Sequence, residues 1–131
     1  KKGKDYKLTN KILFKGEKSR IDIIEEFNQS HAFIYASAFE TFGVIFVESM
    51  SMGKPIISLD CGSAREIISE LSGIIVEKKS AQDMSSSMEE LYNNYSKYNS
   101  HSIRKYCELN FSEKKLSNKM IGHYNDVLNN R

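Results

Sequence analysis

The strongest constraint on the fold is an alternation, through residues 1–79, between short apolar runs and segments with helical spacing. One run, AFIYAS at 32–37, is apolar on both faces, as strands inside parallel sheets are. Strands that alternate with helices predict parallel strands joined by right-handed crossovers. We therefore expect an α/β protein with a Rossmann-like parallel sheet. The predicted strands are 11–14, 32–37, 55–59 and 73–77, and the predicted helices between them are 18–28, 43–52 and 64–70.

The chain from residue 80 onwards is predicted to be helical, because helical spacing continues there with no strand between the segments. The predicted helices are 80–99, 101–109 and 112–130, with Ser80 and Ser112 as N-caps. An apolar stripe runs along the last helix, and we expect it to pack in the core; it consists of Leu116, Met120, Tyr124 and Val127. No Pro-rich or Gly-rich linker divides the chain, so residues 1–131 are predicted to form a single domain.

Composition excludes several classes of function. The net charge of +2 is mild and the charges are mixed in sign along the chain, so we expect no nucleic-acid partner. No apolar run reaches the length of a membrane-spanning helix, and no signal peptide is visible. Cys61 and Cys107 lack metal-ligand spacing and are expected to be reduced thiols of a cytoplasmic protein. The chain begins KKGKDYK without Met, and we expect it to be a piece of a longer protein.

Two loops are expected at the edge of the sheet where such proteins bind ligands, beyond the carboxyl ends of the strands. The first, 37–43, ends in Gly43, and the second, 60–63, contains Gly62 and Ser63. The first backbone N–H groups of a helix have no intrahelical partner and point outward with the positive end of the helix dipole. The N–H groups of residues 43–45 are therefore predicted to face a phosphate or the oxygen-rich edge of a sugar.

Two carboxylates accompany the first loop. Glu40 lies within it, and Glu48 lies in the otherwise apolar segment VIFVESM. A carboxylate accepts hydrogen bonds from paired hydroxyls well, and sugars and riboses present such pairs. An acid on an apolar helix needs a partner of this kind or a cation, because burying it bare is costly. The spacing leaves open whether both acids line one cleft or whether Glu48 faces solvent or pairs with Lys or Arg.

The ordered set of these residues resembles a known family. The stretch SAFETFGVIFVESMSMGKPIISLDCGSAREII, followed by GIIVE, is similar to the C-terminal nucleotide-sugar-binding domain of GT-B glycosyltransferases. It is most similar to glycosyltransferase family 4, also called glycosyl transferases group 1. The residues that carry the resemblance are Ser37, Glu40, Phe42-Gly43, Glu48, Gly53-Lys54-Pro55, Gly62 and Glu66.

The resemblance implies a retaining transferase that uses a nucleotide diphosphate sugar, with UDP-, GDP- and ADP-sugars as the candidate donors. It makes Glu40 the catalytic-site acid that binds the donor sugar, and Glu48 the acid that holds the ribose. Gly43 and Val44 are implied to donate backbone N–H groups to the sugar and the diphosphate. The other implied donor-binding residues are Ser37, Thr41, Phe42, Ile45, Gly62 and Ser63. Neither a cofactor nor a metal ion is implied, and no protein nucleophile is expected.

The resemblance also implies what lies outside this chain. The acceptor-binding N-terminal domain of the family is absent from the sequence, as is the first part of the C-terminal domain with its phosphate-binding Arg and Lys. We therefore expect 1–131 to be a partial domain, inactive alone, whose unpaired strand edge leads to self-association or to marginal stability. The acceptor is expected to be a glycan or a lipid-linked acceptor, met in the cytoplasm at the inner face of the membrane. The alternatives are a sugar-nucleotide epimerase of the same architecture and a non-catalytic nucleotide-binding or interaction module.

Overall fold

The computed structural model describes residues 11–78 and 80–129. Three short parallel strands alternate with helices, and three longer helices follow, with a 3₁₀ turn at Tyr95–Lys97. In chain order the elements are α1 (Arg20–Gln29), β1 (Phe33–Tyr35), α2 (Val44–Ser51), β2 (Ile56–Leu59), α3 (Ala64–Ile67), β3 (Gly73–Val76), α4 (Ala81–Asn93), α5 (Ser100–Phe111) and α6 (Glu113–Asn129).

The sheet has the order β1-β2-β3, and both strand pairs are parallel. The register places Phe33 opposite Ile56, and Ile56 opposite Gly73. All four residues of β2 are buried, which fits its apolar sequence IISL and its position between two neighbours. The α/β prediction with a parallel sheet and C-terminal helices is therefore confirmed.

Helix α2 lies at the centre of the core, and this fixes the loop that precedes it. Phe46 and Met50 on α2 are fully buried together with Ile56 of β2 and Ile103 of α5. The helix packs against α5, α3 and β2. Its N-terminus is consequently held rigidly at the carboxyl edge of the sheet, where the two loops were expected.

Local capping explains most of the helix boundaries. Ser19 and Asp22 form a reciprocal capping box at the start of α1. The Ser80 hydroxyl accepts a hydrogen bond from the Asp83 N–H at 3.0 Å, which confirms it as an N-cap. The backbone N–H and the side-chain amide of Asn94 both donate to the Glu90 carbonyl and end α4 at Asn93, so the prediction of one helix over 80–99 is wrong.

Two further predicted elements differ from the structure. Residues 11–14 do not form a strand; Leu13 and Phe14 are 77% and 76% exposed. An apolar run becomes a strand only beside a partner, and β1 pairs with β2 alone among the described strands. The helix predicted over 64–70 ends at Ile67, because the Ser72 hydroxyl accepts from the Ser69 N–H and donates to the Ser69 carbonyl, which closes a turn.

The prediction that the stripe on α6 packs in the core is wrong for the described part of the chain. Helical periodicity identifies an apolar face but does not say what covers it, and α6 packs mainly on α5. The exposed fractions are 47% for Leu116, 56% for Met120, 63% for Tyr124 and 61% for Val127.

No helix in the described ranges is long and apolar enough to cross a bilayer.

A pair of methionine substitutions tests whether the buried face of α2 and the exposed stripe on α6 differ in their contribution to stability. Met50→Ala removes a side chain that is fully buried on α2, so we expect the free energy of unfolding to fall by about 2–5 kcal/mol. Met120→Ala removes an exposed side chain from α6, so we expect a change within about 0.5 kcal/mol. Denaturant unfolding of both variants checks the contrast. A loss at Met120 as large as that at Met50 would show that the apolar face of α6 is covered in solution.

Candidate functional site

The loops that follow β1 and β2 touch each other. The Glu40 carbonyl oxygen of the first loop lies against the Cα of Gly62 in the second, so that a Cβ built on Gly62 would sit 1.8 Å from this oxygen. Gly62 also has a φ of 45°, in the left-handed region that favours glycine. The two loops therefore form one surface at the carboxyl edge of the sheet.

Gly43 lies at the junction between the first loop and α2. It is buried, with a φ of 68°, and a Cβ there would lie 2.7 Å from Phe46 Cδ2, 2.7 Å from Ser63 Oγ and 2.8 Å from Ile67 Cδ1. Only glycine fits this position without displacing a neighbour. The close packing brings the start of α2 against the second loop and α3.

The carboxylate of Glu40 is held by its own loop. Oε1 accepts hydrogen bonds from the backbone N–H groups of Thr41 at 2.7 Å and of Phe42 and Gly43 at 3.2 Å. Oε2 accepts one from the Tyr35 hydroxyl at 2.8 Å. The Tyr35 hydroxyl and these N–H groups lower the pKa of Glu40, so it is ionised at neutral pH. The Gly43 N–H, predicted to face a ligand, is occupied by Glu40 in the free protein.

The N–H groups of Val44 and Ile45 differ from that of Gly43 in their hydrogen bonding. Neither has a hydrogen-bond partner among the described residues, as expected for the first turn of a helix. The Val44 side chain is 61% exposed and lines the cavity beside the loops, whereas the Ile45 side chain points towards α1. Ile45 can therefore reach a ligand at this edge through its backbone N–H only.

Glu48 lies on the side of α2 that faces α1. Its Oε1 is 3.4 Å from Arg20 Nη2, and the two side chains are 35% and 84% exposed. A pair with such an exposed arginine contributes little to stability, so a ligand can replace it at small cost. Glu48 lines a cavity of about 220 Å³ together with Ile23 and Phe27 of α1. The alternative left open by the spacing, an ion pair with a cation, is what the free protein shows.

A cavity of about 770 Å³ lies between the two loops and the C-terminal helices. Phe42, 80% exposed, stands at its edge, and Glu66 of α3 also lines it. It brings together five of the predicted residues, namely Thr41, Phe42, Val44, Gly62 and Ser63. Three further lining residues come from the C-terminal helices and were not predicted, namely Phe111, Leu116 and Lys119.

Ser63 has an unsatisfied polar atom at this place. Its hydroxyl oxygen is buried and has no hydrogen-bond partner among the described residues. It lies beside the Cα of Gly43, at the contact between the second loop and α2. A buried hydroxyl without a partner costs about 1–3 kcal/mol, which a ligand oxygen or a bound water recovers.

Other polar residues near the loops have structural partners. The Ser37 hydroxyl donates to the Phe39 carbonyl at 2.9 Å and accepts from the Phe39 N–H at 3.3 Å, so it shapes the loop. Arg65 forms a bidentate pair with Asp60 at 3.0 and 2.8 Å and reaches Glu77 at 3.2 Å, and these carboxylates raise its pKa. No cluster of three or more metal-ligating side chains occurs within residues 11–78 and 80–129.

Sequence reasoning missed two kinds of residue. Tyr35 carried only a partial signal, as a hydroxyl-bearing side chain in an apolar strand five residues before Glu40, because the strand predicted over 32–37 ends in another hydroxyl, that of Ser37. Lys119 carried none, because its place beside the cavity depends on how α6 crosses the loops. The missed residues therefore belong to tertiary packing more than to the local motif.

Comparisons with known proteins relate this chain to one family and to one solved fold. Residues 1–107 match the sequence profile of the family described as glycosyl transferases group 1. An uncharacterized glycosyltransferase of Methanocaldococcus jannaschii is 29% identical over 102 residues, which are 70% of this chain and 29% of that protein. Sucrose-phosphate synthase from Thermosynechococcus elongatus superposes with a TM-score of 0.81 at 17% identity, over 98% of this chain and 33% of that one.

The matches differ in what they establish. The structural likeness, at low identity, shows a shared fold, that of a GT-B protein. The chain spans about a third or less of the length of both matched proteins. The family match covers most of the chain and includes both loops and both carboxylates. The chain therefore belongs to the glycosyl transferases group 1 family.

Proposed function

We propose that this chain is the donor-binding part of a retaining glycosyltransferase of family 4, which transfers a hexose from a nucleotide diphosphate sugar to a glycan or lipid-linked acceptor. The observation that carries the proposal is the ionised Glu40 carboxylate, held beside the free N–H groups of Val44 and Ile45. An acceptor for hydroxyls and donors for phosphate thus lie side by side, as a sugar diphosphate requires.

In the proposed reaction these residues form no covalent bond with the substrate. The acceptor hydroxyl oxygen bonds to the anomeric carbon on the face that the diphosphate leaves, the diphosphate departs with the bonding electron pair, and the hydroxyl proton is released. Negative charge develops on the leaving diphosphate, so catalysis depends on groups that stabilise it in the transition state. The N-terminus of α2 supplies such groups, and we assign the remaining cations to the part of the enzyme outside this chain.

We assign a part of the donor to each of the other polar side chains of the candidate site. Glu40 accepts hydroxyls of the sugar, and Glu48 exchanges the exposed Arg20 for the ribose hydroxyls. The unsatisfied Ser63 hydroxyl bonds an oxygen of the donor. UDP-, GDP- and ADP-sugars are the candidate donors, and the reaction requires neither a cofactor nor a metal ion. We place the whole enzyme in the cytoplasm, at the inner face of the membrane where lipid-linked acceptors are met.

An NMR titration of the folded chain with UDP, GDP and ADP, and then with their sugar conjugates, tests donor binding. We expect shifts at residues 43–48 and 62–66 for one base. Glu48→Ala is expected to weaken binding of that nucleotide about 10- to 100-fold, because it removes hydrogen bonds to a charged acceptor. Glu89→Ala, at an exposed position of α4, is the matched control and is expected to leave binding unchanged.

Two results would count against the proposal. Equal losses in the Glu48 and Glu89 variants would show that Glu48 does not hold the ribose. Epimerisation of the nucleotide sugar by the whole protein, with no sugar transferred to an acceptor, would identify an enzyme of another reaction class. Shifts confined to other surfaces would leave the chain as an interaction module.

A further inference from the structure

The two oxygens of the Glu40 carboxylate have unequal surroundings. Each carboxylate oxygen offers about two lone-pair positions. Oε1 is fully engaged, since it accepts from the N–H groups of Thr41, Phe42 and Gly43. Oε2 accepts from the Tyr35 hydroxyl and from no other group in the described part of the chain. The oxygen with spare accepting capacity for a ligand is therefore the one that Tyr35 holds.

The ring of Tyr35 is anchored below the loop. It stands edge-on to Phe46, with ring centroids 5.2 Å apart and an interplanar angle of 88°, and a second contact joins it to Phe33 at 6.1 Å. Phe46 is fully buried and belongs to the rigid helix that starts at Gly43. The phenol oxygen consequently has a fixed position from which to donate, and it fixes Oε2 in turn.

We propose that Tyr35 is a positioning residue that holds Glu40 Oε2 in place to accept a hydroxyl of the donor sugar. This inference rests on the proposed function, because it assigns an orientation to an acid whose ligand is the donor. A hydrogen bond that is already in place needs no rearrangement when the ligand binds, so its removal lowers both affinity and rate. The residues that carry the family resemblance begin at Ser37, so Tyr35 lies outside them.

The phenol remains a donor across the working pH range. The bond to Glu40 is the largest cause that raises the pKa of Tyr35, and the Cys61 thiol beyond β2 adds to it, while the Ser37 hydroxyl acts in the opposite direction. The same bond is the largest cause that lowers the pKa of Glu40, ahead of the loop N–H groups. Loss of the phenol therefore raises the pKa of Glu40, while Cys61, Ser37 and the N–H groups stay in place.

The test is Tyr35→Phe in the full-length enzyme, with Tyr106→Phe as the matched control. Both changes keep an aromatic ring in the core and remove only a hydroxyl; that of Tyr106 donates to the Ile67 carbonyl at 3.3 Å. We expect Tyr35→Phe to lower kcat/KM about 10- to 100-fold, by loss of a charge-assisted bond, and to move the acid limb of its pH profile to higher pH. Tyr106→Phe is expected to change neither.

A ¹³C NMR titration of the Glu40 carboxyl in both variants tests the hydrogen bond between Tyr35 and Glu40 separately from its effect on catalysis. Glu40 should titrate at higher pH in Tyr35→Phe than in the wild type or in Tyr106→Phe. An unchanged Glu40 titration, or a changed titration with unchanged kinetics, overturns the positioning role. Absence of transfer and of donor binding in the wild-type enzyme, with the Glu40 titration altered as expected, instead overturns the proposed function on which that role rests.

Discussion

Glu40→Gln in the full-length transferase is expected to lower kcat about 10²- to 10³-fold without unfolding the loop. The amide oxygen can replace Oε1 and accept from the N–H groups of Thr41, Phe42 and Gly43. The NH₂ group then takes the place of Oε2, opposite the Tyr35 hydroxyl, which rotates to accept. A donor thus replaces the acceptor that faces the sugar, and the negative charge is lost with it.

Steady-state kinetics and circular dichroism together check this expectation. Glu89→Gln, at an exposed position on α4, makes the same chemical change away from the site and should leave kcat unchanged. A folded Glu40→Gln enzyme with the wild-type kcat would remove Glu40 from the catalytic site. A variant that loses its fold would show instead that the carboxylate serves the loop more than the ligand.

The pH dependence of Glu40 has a defined sign. Its pKa is lower in the folded protein than in the unfolded chain, because the Tyr35 hydroxyl and the loop N–H groups favour the ionised form. The stability that these contacts contribute is therefore present above the unfolded pKa and is lost as the pH falls through the folded pKa. The loop is expected to keep its conformation at neutral pH and to loosen only in acid.

The sequence was sufficient to predict that the two loops of the candidate site meet at one edge of the sheet. The alternation of strands and helices implied parallel strands, and parallel strands end at one edge, so the two loops had to be neighbours. Glycine at 43 and 62 was informative for a physical reason, since a side chain at either place meets another residue in this structure. Glycine itself is visible in the sequence, whereas the contacts that require it here, such as that of Gly62 with Glu40, join the two loops.

The partners of the two acids could not be predicted in the same way. Glu40 bonds Tyr35 across a loop, and Glu48 meets Arg20 from another helix, so each partner depends on how elements pack. The same holds for Lys119, which reaches the cavity through the path of α6. The apolar stripe on that helix failed as a core prediction because periodicity describes one surface and burial depends on two.

Gly62→Ala is expected to destabilise the protein by about 2–5 kcal/mol and to weaken donor binding with it. A non-glycine residue at positive φ costs about 1–2 kcal/mol, and overpacking adds about 1–3 kcal/mol. The added Cβ would lie 1.8 Å from the Glu40 carbonyl oxygen, which is backbone and cannot turn aside. The two loops must therefore separate, and Glu40 moves with its carbonyl away from the N-terminus of α2.

Gly16→Ala is the control for Gly62→Ala, because it introduces the backbone strain of a positive φ without the steric contact between the loops. Gly16 has a φ of 67°, but a Cβ there meets no atom within 4 Å, so this variant carries the strain alone. Part of that strain is offset, by about 0.4–1 kcal/mol, because alanine restricts the unfolded chain. Denaturant unfolding and nucleotide titration of the two variants should differ in both stability and affinity. If Gly62→Ala were as mild as Gly16→Ala, the loops would not touch in solution, and Glu40 would need another support to hold the position that we propose for donor binding.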